Sequence, residues 1–327
     1  MGALGAIVMD TWRQSRQQIV LLIMLAILAL LAIVPPIIAT PVELTDEEGQ
    51  TEEHLRLLNI EESEMMLEGG WAFLYAQSVL FASMDDDDQE VDPFSPEGQE
   101  LQLELAEVAL LEAQTPPLRR GVEVLLYGIS GFIFSTSMML FIAAASAYYP
   151  SMLEAGAIDI VLAKPLERWK VFLGKFLGGM ALFTAAIVAC NLLLYLGIGL
   201  RTGVFHAALF LVMPLQIVSA TTIFALLALL GVVTRKTNFS MITGYLYYLV
   251  IDSILGVLAV IPFEVSWLDK AQTALRWSLP NFGQLKAAAT LSVINMPAMN
   301  WQPVIVACGW IVLSLSVGYW KFRNTDY

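Results

Sequence analysis

The sequence predicts an all-α integral membrane protein with six transmembrane helices, an N-terminal interfacial helix and a mainly helical acidic external domain between spans one and two. Three observations carry this expectation. Hydrophobic residues make up 57% of the 327 residues and charged ones only 14%, which is too apolar for a water-soluble domain of that size. The apolar residues fall into six stretches, each near or above the roughly 20 residues that a helix needs to cross about 30 Å of hydrocarbon. Acidic charge is confined: residues 41–122 hold 3 basic and 21 acidic side chains, and the remainder 14 basic and 9 acidic.

Residues 1–18 set Leu4, Val8 and Trp12 at four-residue spacing, with Asp10, Arg13, Gln14, Arg16 and Gln17 around the rest of the turn. That pattern suits a helix lying in the membrane interface, with Trp12, Arg13 and Arg16 as its anchor. A signal peptide would use Arg13 and Arg16 as its charged region and 19–34 as its core, but no small-x-small cleavage site follows. The first span, 19–38, is free of charge, and Pro35 and Pro36 mark its outer end. In the acidic section 41–122, residues 54–68 and 99–113 read as helices. Asp85 to Asp88 with Pro93 and Pro96 read as a solvated break. The apolar patch Trp71 to Met84 is too short to span and is expected to pack within this domain or against the membrane surface. Asp85 to Asp92 lacks the Gly and terminal Glu of an EF-hand loop, so it reads as solvated acid rather than a calcium site.

The second span is expected over 124–148, the third over 177–200 and, after a short turn at Arg201 to Gly203, the fourth over 204–233. Arg235 and Lys236 form the next turn; the fifth span covers 239–262 and the sixth 304–320. Trp267, Trp277, Pro280 and Trp301 lie between these last two, and tryptophan favours the headgroup level, so 263–302 is read as short helices on or dipping into the outer leaflet. Residues 321–327 form a tail. Ten basic residues then fall on one side: Arg13, Arg16, Lys164, Arg168, Lys170, Lys175, Arg235, Lys236, Lys321 and Arg323. The other side receives seven over many more residues, which favours both termini inside.

The segment 149–176, YPSMLEAGAIDIVLAKPLERWKVFLGKF, is the long polar interruption that carries four basic side chains. Met152, Ala155, Ile158 and Leu162 share a helical stripe from which Glu154 and Asp159 are displaced, describing a short amphipathic helix at the cytoplasmic base of the membrane. Pro165 stops it, because proline has no N–H and pushes Lys164 towards an extended conformation. A second helix restarts near Leu166, with Arg168 and Lys175 expected to anchor it at headgroups.

The order acidic-x-Gly (Glu154, Gly156), aliphatic positions, Pro165, Arg168 and Gly174-Lys175 resembles the cytoplasmic signature of the type 2 ABC transporter permeases, a class that includes polysaccharide, drug and copper-maturation exporters. The six-span layout, the polar N-terminal helix and the tail Trp320, Lys321, Phe322, Arg323, Asp326, Tyr327 fit the same resemblance, whereas the acidic section is longer than in simpler members. The resemblance implies that the segment is a coupling helix on which a separate ATPase subunit docks. Its contact residues would be Glu154, Gly156, Asp159, Leu162, Pro165 and Arg168. It also implies a second permease copy or paralogue, ATP used only by the partner, and export at a prokaryotic plasma membrane.

The residues themselves exclude several chemistries. There is no GxxxxGK[ST] phosphate loop, so the chain does not cradle ATP in the P-loop manner, and no cofactor of its own is expected. HExxH, GxSxG and Cys/His clusters are absent, His54 and His206 stand apart, and Cys190 and Cys308 fall inside spans as small packing residues. No dense basic face points to nucleic acid; the remaining partner is membrane lipid. Asp252 is the acidic residue well inside a span, about 13 residues or roughly 20 Å from its start. With Tyr248 one turn earlier, Tyr245 on the same stripe, and Asn191, it is a candidate for the transport path or for a satisfied structural acid. Ser219, Thr221 and Thr222 read as interhelical glue, and Gly174-x-x-x-Gly178 as a site of close helix approach. Two rival readings stay open: an ion-coupled secondary transporter using Asp252, and a non-transporting membrane anchor with an acidic external binding domain.

Overall fold

A computed structural model describes residues 19–45, 51–83, 96–112, 115–153, 167–260, 266–294 and 301–325. The interfacial helix 1–18, with Trp12, Arg13 and Arg16, and the acidic run Asp85 to Asp92 lie outside them. Helix α1 (Ile19–Ile38) leads into a hairpin of β1 (Ala39–Thr45) and β2 (Thr51–Leu57), then α2 (Glu62–Ser83) and α3 (Pro96–Glu112). The core continues with α4 (Pro117–Ala145), the short α5 (Tyr148–Met152) and the long α6 (Arg168–Thr202). A 3-10 turn (Ala207–Leu211) enters α7 (Val212–Thr234). Next come α8 (Thr237–Tyr245), a π-helical turn (Leu246–Ile251) and α9 (Asp252–Val260), which form one interrupted rod. Last are α10 (Ser266–Ser278), α11 (Phe282–Leu291), a 3-10 turn (Ser292–Ile294) and α12 (Gln302–Arg323).

Six of these rods are long and apolar enough to cross a membrane: Val20–Ile38, Pro117–Met152, Arg168–Thr202, Ala207–Thr234, Thr237–Leu258 and Gln302–Arg323. Their outward surfaces keep large apolar side chains such as Leu30, Leu200, Val257 and Val312 exposed, as a lipid-facing surface requires. We call the end that carries Tyr149, Arg235 and Arg323 basal and the end that carries Pro117 and Thr202 apical. Helix α1 packs on α6 and α4, and α12 on α7. Small groups set these distances. A Cβ on Gly197 would meet the Pro36 ring at 2.5 Å, and one on Gly179 would meet the Phe224 ring at 2.7 Å. Gly179, the residue after Gly178, thus makes one such close approach.

The section between the first two spans is not wholly helical. Residues 54–57 belong to β2, which pairs antiparallel with β1 in the register Ala39 to Leu57 through Thr45 to Thr51. Leu55 and Leu57 alternate with polar neighbours, and Leu58 and Asn59 adopt φ of 53° and 57°, a left-handed step that a continuous helix over 54–68 cannot contain. The helix starts only at Glu62, and the Ser63 hydroxyl in its first turn accepts from Leu57 N–H and donates to Ile60 C=O. Trp71 and Ala72 then bury one face of α2 against α3 and α4, so the start of this patch packs within the apical section. Leu55 sits on Gly121, where an added Cβ would come within 2.8 Å of it, which fixes the hairpin against the first turns of α4.

Candidate functional site

At the basal end the described residues stop at Leu153 and resume at Glu167, and both of these ends are held. Pro150 and Tyr149 pack on Gly231 of α7, where a Cβ would lie 2.9 Å from Pro150 Cδ and 3.1 Å from Tyr149 Cβ. This approach puts Tyr149, 1% exposed, beside the first turns of α6. Its hydroxyl donates to the Phe172 carbonyl at 3.0 Å. The ring lies 5.1 Å from the Phe172 ring, which itself lies 5.9 Å from Phe322 of α12. Phe224 of α7 stacks on Phe176 at 4.8 Å and meets Tyr148 edge-on at 5.7 Å. Aromatic pairs of this kind contribute about 1 kcal/mol each beyond the area they bury. The result is a stem that joins α5, α6, α7 and α12. The sequence reading missed it, although Tyr149 opens the segment it singled out and Tyr148 ends the span before it.

The basic residues in the first turns of α6 have different partners from those expected. Arg168 Nη1 donates to the carbonyls of Arg323 and Thr325, at 2.7 and 3.2 Å, and so caps the C-terminal end of α12. Lys175 is only 8% exposed, and its ammonium stands 5.6 Å from the centre of the Tyr148 ring. It belongs to the stem rather than to the headgroup region. Glu167 pairs with Lys170 at 3.1 Å and accepts from Trp169 Nε1. Its carboxyl is held below the ordinary value, first by the Lys170 hydrogen bond and then by that of Trp169. Glu154, Gly156, Asp159, Leu162 and Pro165 lie outside the described residues, and Met152 is buried at the near end of the segment.

Asp252 has a structural partner that no local pattern revealed. Its Oδ1 accepts the backbone N–H of Phe282 at 2.6 Å and of Gly283 at 3.3 Å, while Asn281 Oδ1 accepts from Gln284 N–H at 2.9 Å. The first three N–H groups of α11 are therefore satisfied, and the carboxylate sits at the positive end of the helix dipole. Tyr247 OH donates to Pro280 C=O, which places the α10–α11 turn against the middle of the interrupted fifth rod. The helices of 266–294 are thus held against the fifth rod through this turn. Tyr248 packs its ring 5.9 Å from Phe282, and Tyr245 donates to Met139 C=O, so neither is the acid's hydrogen-bond partner.

Asn191 is buried and donates to Ile187 C=O of its own helix. Ser219, Thr221 and Thr222 likewise donate to carbonyls four residues back, so they do not bridge helices as expected. The polar bridge in this region is Gln216 Nε2 to Ser137 Oγ at 2.7 Å, between α7 and α4. At the apical end, Glu123 is buried and accepts from Trp71 Nε1 at 3.0 Å and from Arg119 Nε at 3.2 Å. His206 Nε2 meets the Val293 carbonyl, which only accepts, so Nε2 carries the proton and Nδ1 faces Glu123 Oε1 at 3.7 Å. Among the described residues no cluster of three or more His, Cys, Asp or Glu forms a metal site.

Comparison with protein families matches residues 6–327 to the model described as ABC-2 family transporter protein. A search of curated proteins finds no match to the chain.

Proposed function

The chain belongs to the ABC-2 family of transporter proteins, a multi-pass membrane permease, and from that premise we propose that it is the membrane subunit of an ATP-driven exporter moved by a separate ATPase. The basal end faces the cytoplasm of a prokaryotic plasma membrane, with both termini on that side. Segment 154–166 is the docking element, with Glu154, Gly156, Asp159, Leu162 and Pro165 at the contact and Arg168 behind it. Two permease copies, or this chain and a paralogue, work with two ATPase subunits. ATP is bound and hydrolysed only by those partners.

The observation that carries the reading is the Tyr149 to Phe172 bond. A docking element transmits force only if its two ends cannot slide past each other, and here one hydroxyl and a layer of aromatic rings bind them to four rods. Movement of the segment is thereby passed to the spans as a body. Co-reconstitution with an ATPase subunit tests this: nucleotide hydrolysis rises on adding the intact permease and stays basal with Glu154→Ala and Gly156→Leu. Substrate flux without any nucleotide-hydrolysing partner, or labelling of Lys164 from the outside medium, would overturn the proposal.

A further inference from the structure

Both histidines of the chain stand at the apical end, and each turns its two ring nitrogens towards oxygens. His54 of β2 sets Nδ1 3.1 Å from Glu68 Oε1 and Nε2 3.9 Å from Glu52 Oε2. His206, in the turn between α6 and α7, donates from Nε2 to the Val293 carbonyl and faces Glu123 Oε1 with Nδ1 at 3.7 Å. A neutral imidazole has one donor nitrogen and one acceptor nitrogen, so at each position one lone pair would point at an oxygen that itself only accepts. A ring protonated on both nitrogens removes that conflict. The surrounding charge acts in the same direction. Glu52 and Glu53 of β2, Glu68 of α2 and Glu123 of α4 stand against Arg119 and Arg120 of α4, which leaves carboxylates in excess by two. Arg119 opposes a charge on His206, because its Nε reaches the same Glu123 oxygen at 3.2 Å. Arg56 is matched by Glu64, Glu43 lies opposite Glu53 on the hairpin, and Arg201 donates to Ala39 C=O. One connected set joins the two rings. Glu68 faces Arg120, whose Cζ lies 5.7 Å from the centre of the Trp71 ring, and Trp71 Nε1 donates to Glu123. His206, Glu52 and Glu53 also line a cavity of about 830 Å³ between β2, the first turns of α4 and the turn after α6, a path for water and protons.

We propose that this cluster is a clamp strengthened by acid. A proton on His54 ties β2 to α2, and a proton on His206 ties the α6–α7 turn to α4 and to the 3-10 turn after α11. Acidification of the apical medium stiffens the apical section against the spans, and loss of the two protons loosens it. The charged rings meet these oxygens only in the folded chain, so folding takes up protons. The stabilisation is therefore present at about pH 5.5 and is lost towards about pH 8, across the range in which histidine changes charge. The cluster is separate from the basal stem and does not depend on the coupling role proposed above.

Thermal unfolding of the full chain, purified in detergent without a histidine tag, tests this with His54→Gln and His206→Gln, singly and together. Glutamine keeps an N–H donor for Glu68 or for the Val293 carbonyl and carries no charge at any pH. The gap in unfolding temperature between parent and variant is wider at about pH 5.5 than at about pH 8, by about 2 °C for each histidine. Carboxylates elsewhere titrate alike in parent and variants, so the difference isolates the rings. Amide exchange, corrected for the intrinsic effect of pH, is slower at the lower pH over 51–57 and 292–294 of the parent, and this slowing is absent from the double variant. His54→Gln, on a partly exposed strand, decides the matter on its own if His206→Gln does not fold. A gap equal at both pH values, as a ring with a purely structural role gives, or one that closes on acidification, as a ring held neutral gives, overturns the proposal.

Discussion

The Tyr149 hydroxyl donates to the Phe172 carbonyl across 23 residues of chain, and so ties the two ends that flank segment 154–166 to each other. The bond spans the exit of one rod and the entry of the next. Around it, the rings of Phe172, Phe322, Tyr148 and Phe224 connect the neck to α7 and α12. In lipid, association of helices relies on such packing and on interhelical hydrogen bonds, since apolar burial alone offers little between two apolar surroundings.

Tyr149→Phe removes the donor and keeps the ring. The expected cost is about 1 kcal/mol of stability, which lowers the unfolding temperature by a few degrees. In the reconstituted complex, nucleotide hydrolysis persists while transport per nucleotide falls, because the segment still docks but its base yields. Paired measurement of hydrolysis and flux checks this; equal loss of both would show that the hydroxyl serves docking instead.

Gly179→Leu places a side chain where the Phe224 ring already stands, at 2.7 Å from the first added carbon. Over-packing of this kind costs about 1–3 kcal/mol. The thermal transition of the purified protein falls accordingly. The double variant Gly179→Ala with Phe224→Leu recovers part of the loss, which a strained backbone at position 179 would not allow.

Arg168→Ala takes two hydrogen bonds from the carbonyls of Arg323 and Thr325. The site is partly open to solvent, so stability changes by less than about 1 kcal/mol. Residues 321–325 exchange their amide hydrogens faster, while those of 302–315 are unchanged. Arg168→Lys restores only part of the protection, since one ammonium does not reproduce the geometry of the guanidinium.

The rods were legible because each is a charge-poor run whose length is dictated by the bilayer, and the observed ends of Val20–Ile38 and Gln302–Arg323 follow the expected ones closely. The hairpin was not, because Leu55 and Leu58 also have the three-residue spacing of a helical stripe, and the strand exists through its pairing with 39–45 and its seat on Gly121. Long-range partners were hidden for the same reason. Tyr149 finds its acceptor 23 residues away and Asp252 its donors 30 residues away, and local spacing carries no record of either. Gly179 was not singled out because a four-residue motif records helical faces and not which neighbouring ring approaches.

Asp252 separates the permease reading from an ion-coupled one. As a cap, the carboxylate needs only an oxygen that accepts from Phe282 and Gly283 N–H, and the amide of Asp252→Asn offers the same oxygen. That variant is therefore expected to lose less than about 1 kcal/mol, the value of the charge at the helix terminus, and to keep its transport. Asp252→Ala strips both donors of their acceptor in a buried setting and costs about 2 kcal/mol or more, with faster hydrogen exchange confined to 282–291. A proton or sodium carrier gives the opposite order, with Asn as inactive as Ala because the charge is what it uses. Flux and exchange measured on the two variants together decide between these, since only a cap predicts that Asn behaves like the parent while Ala loosens α11.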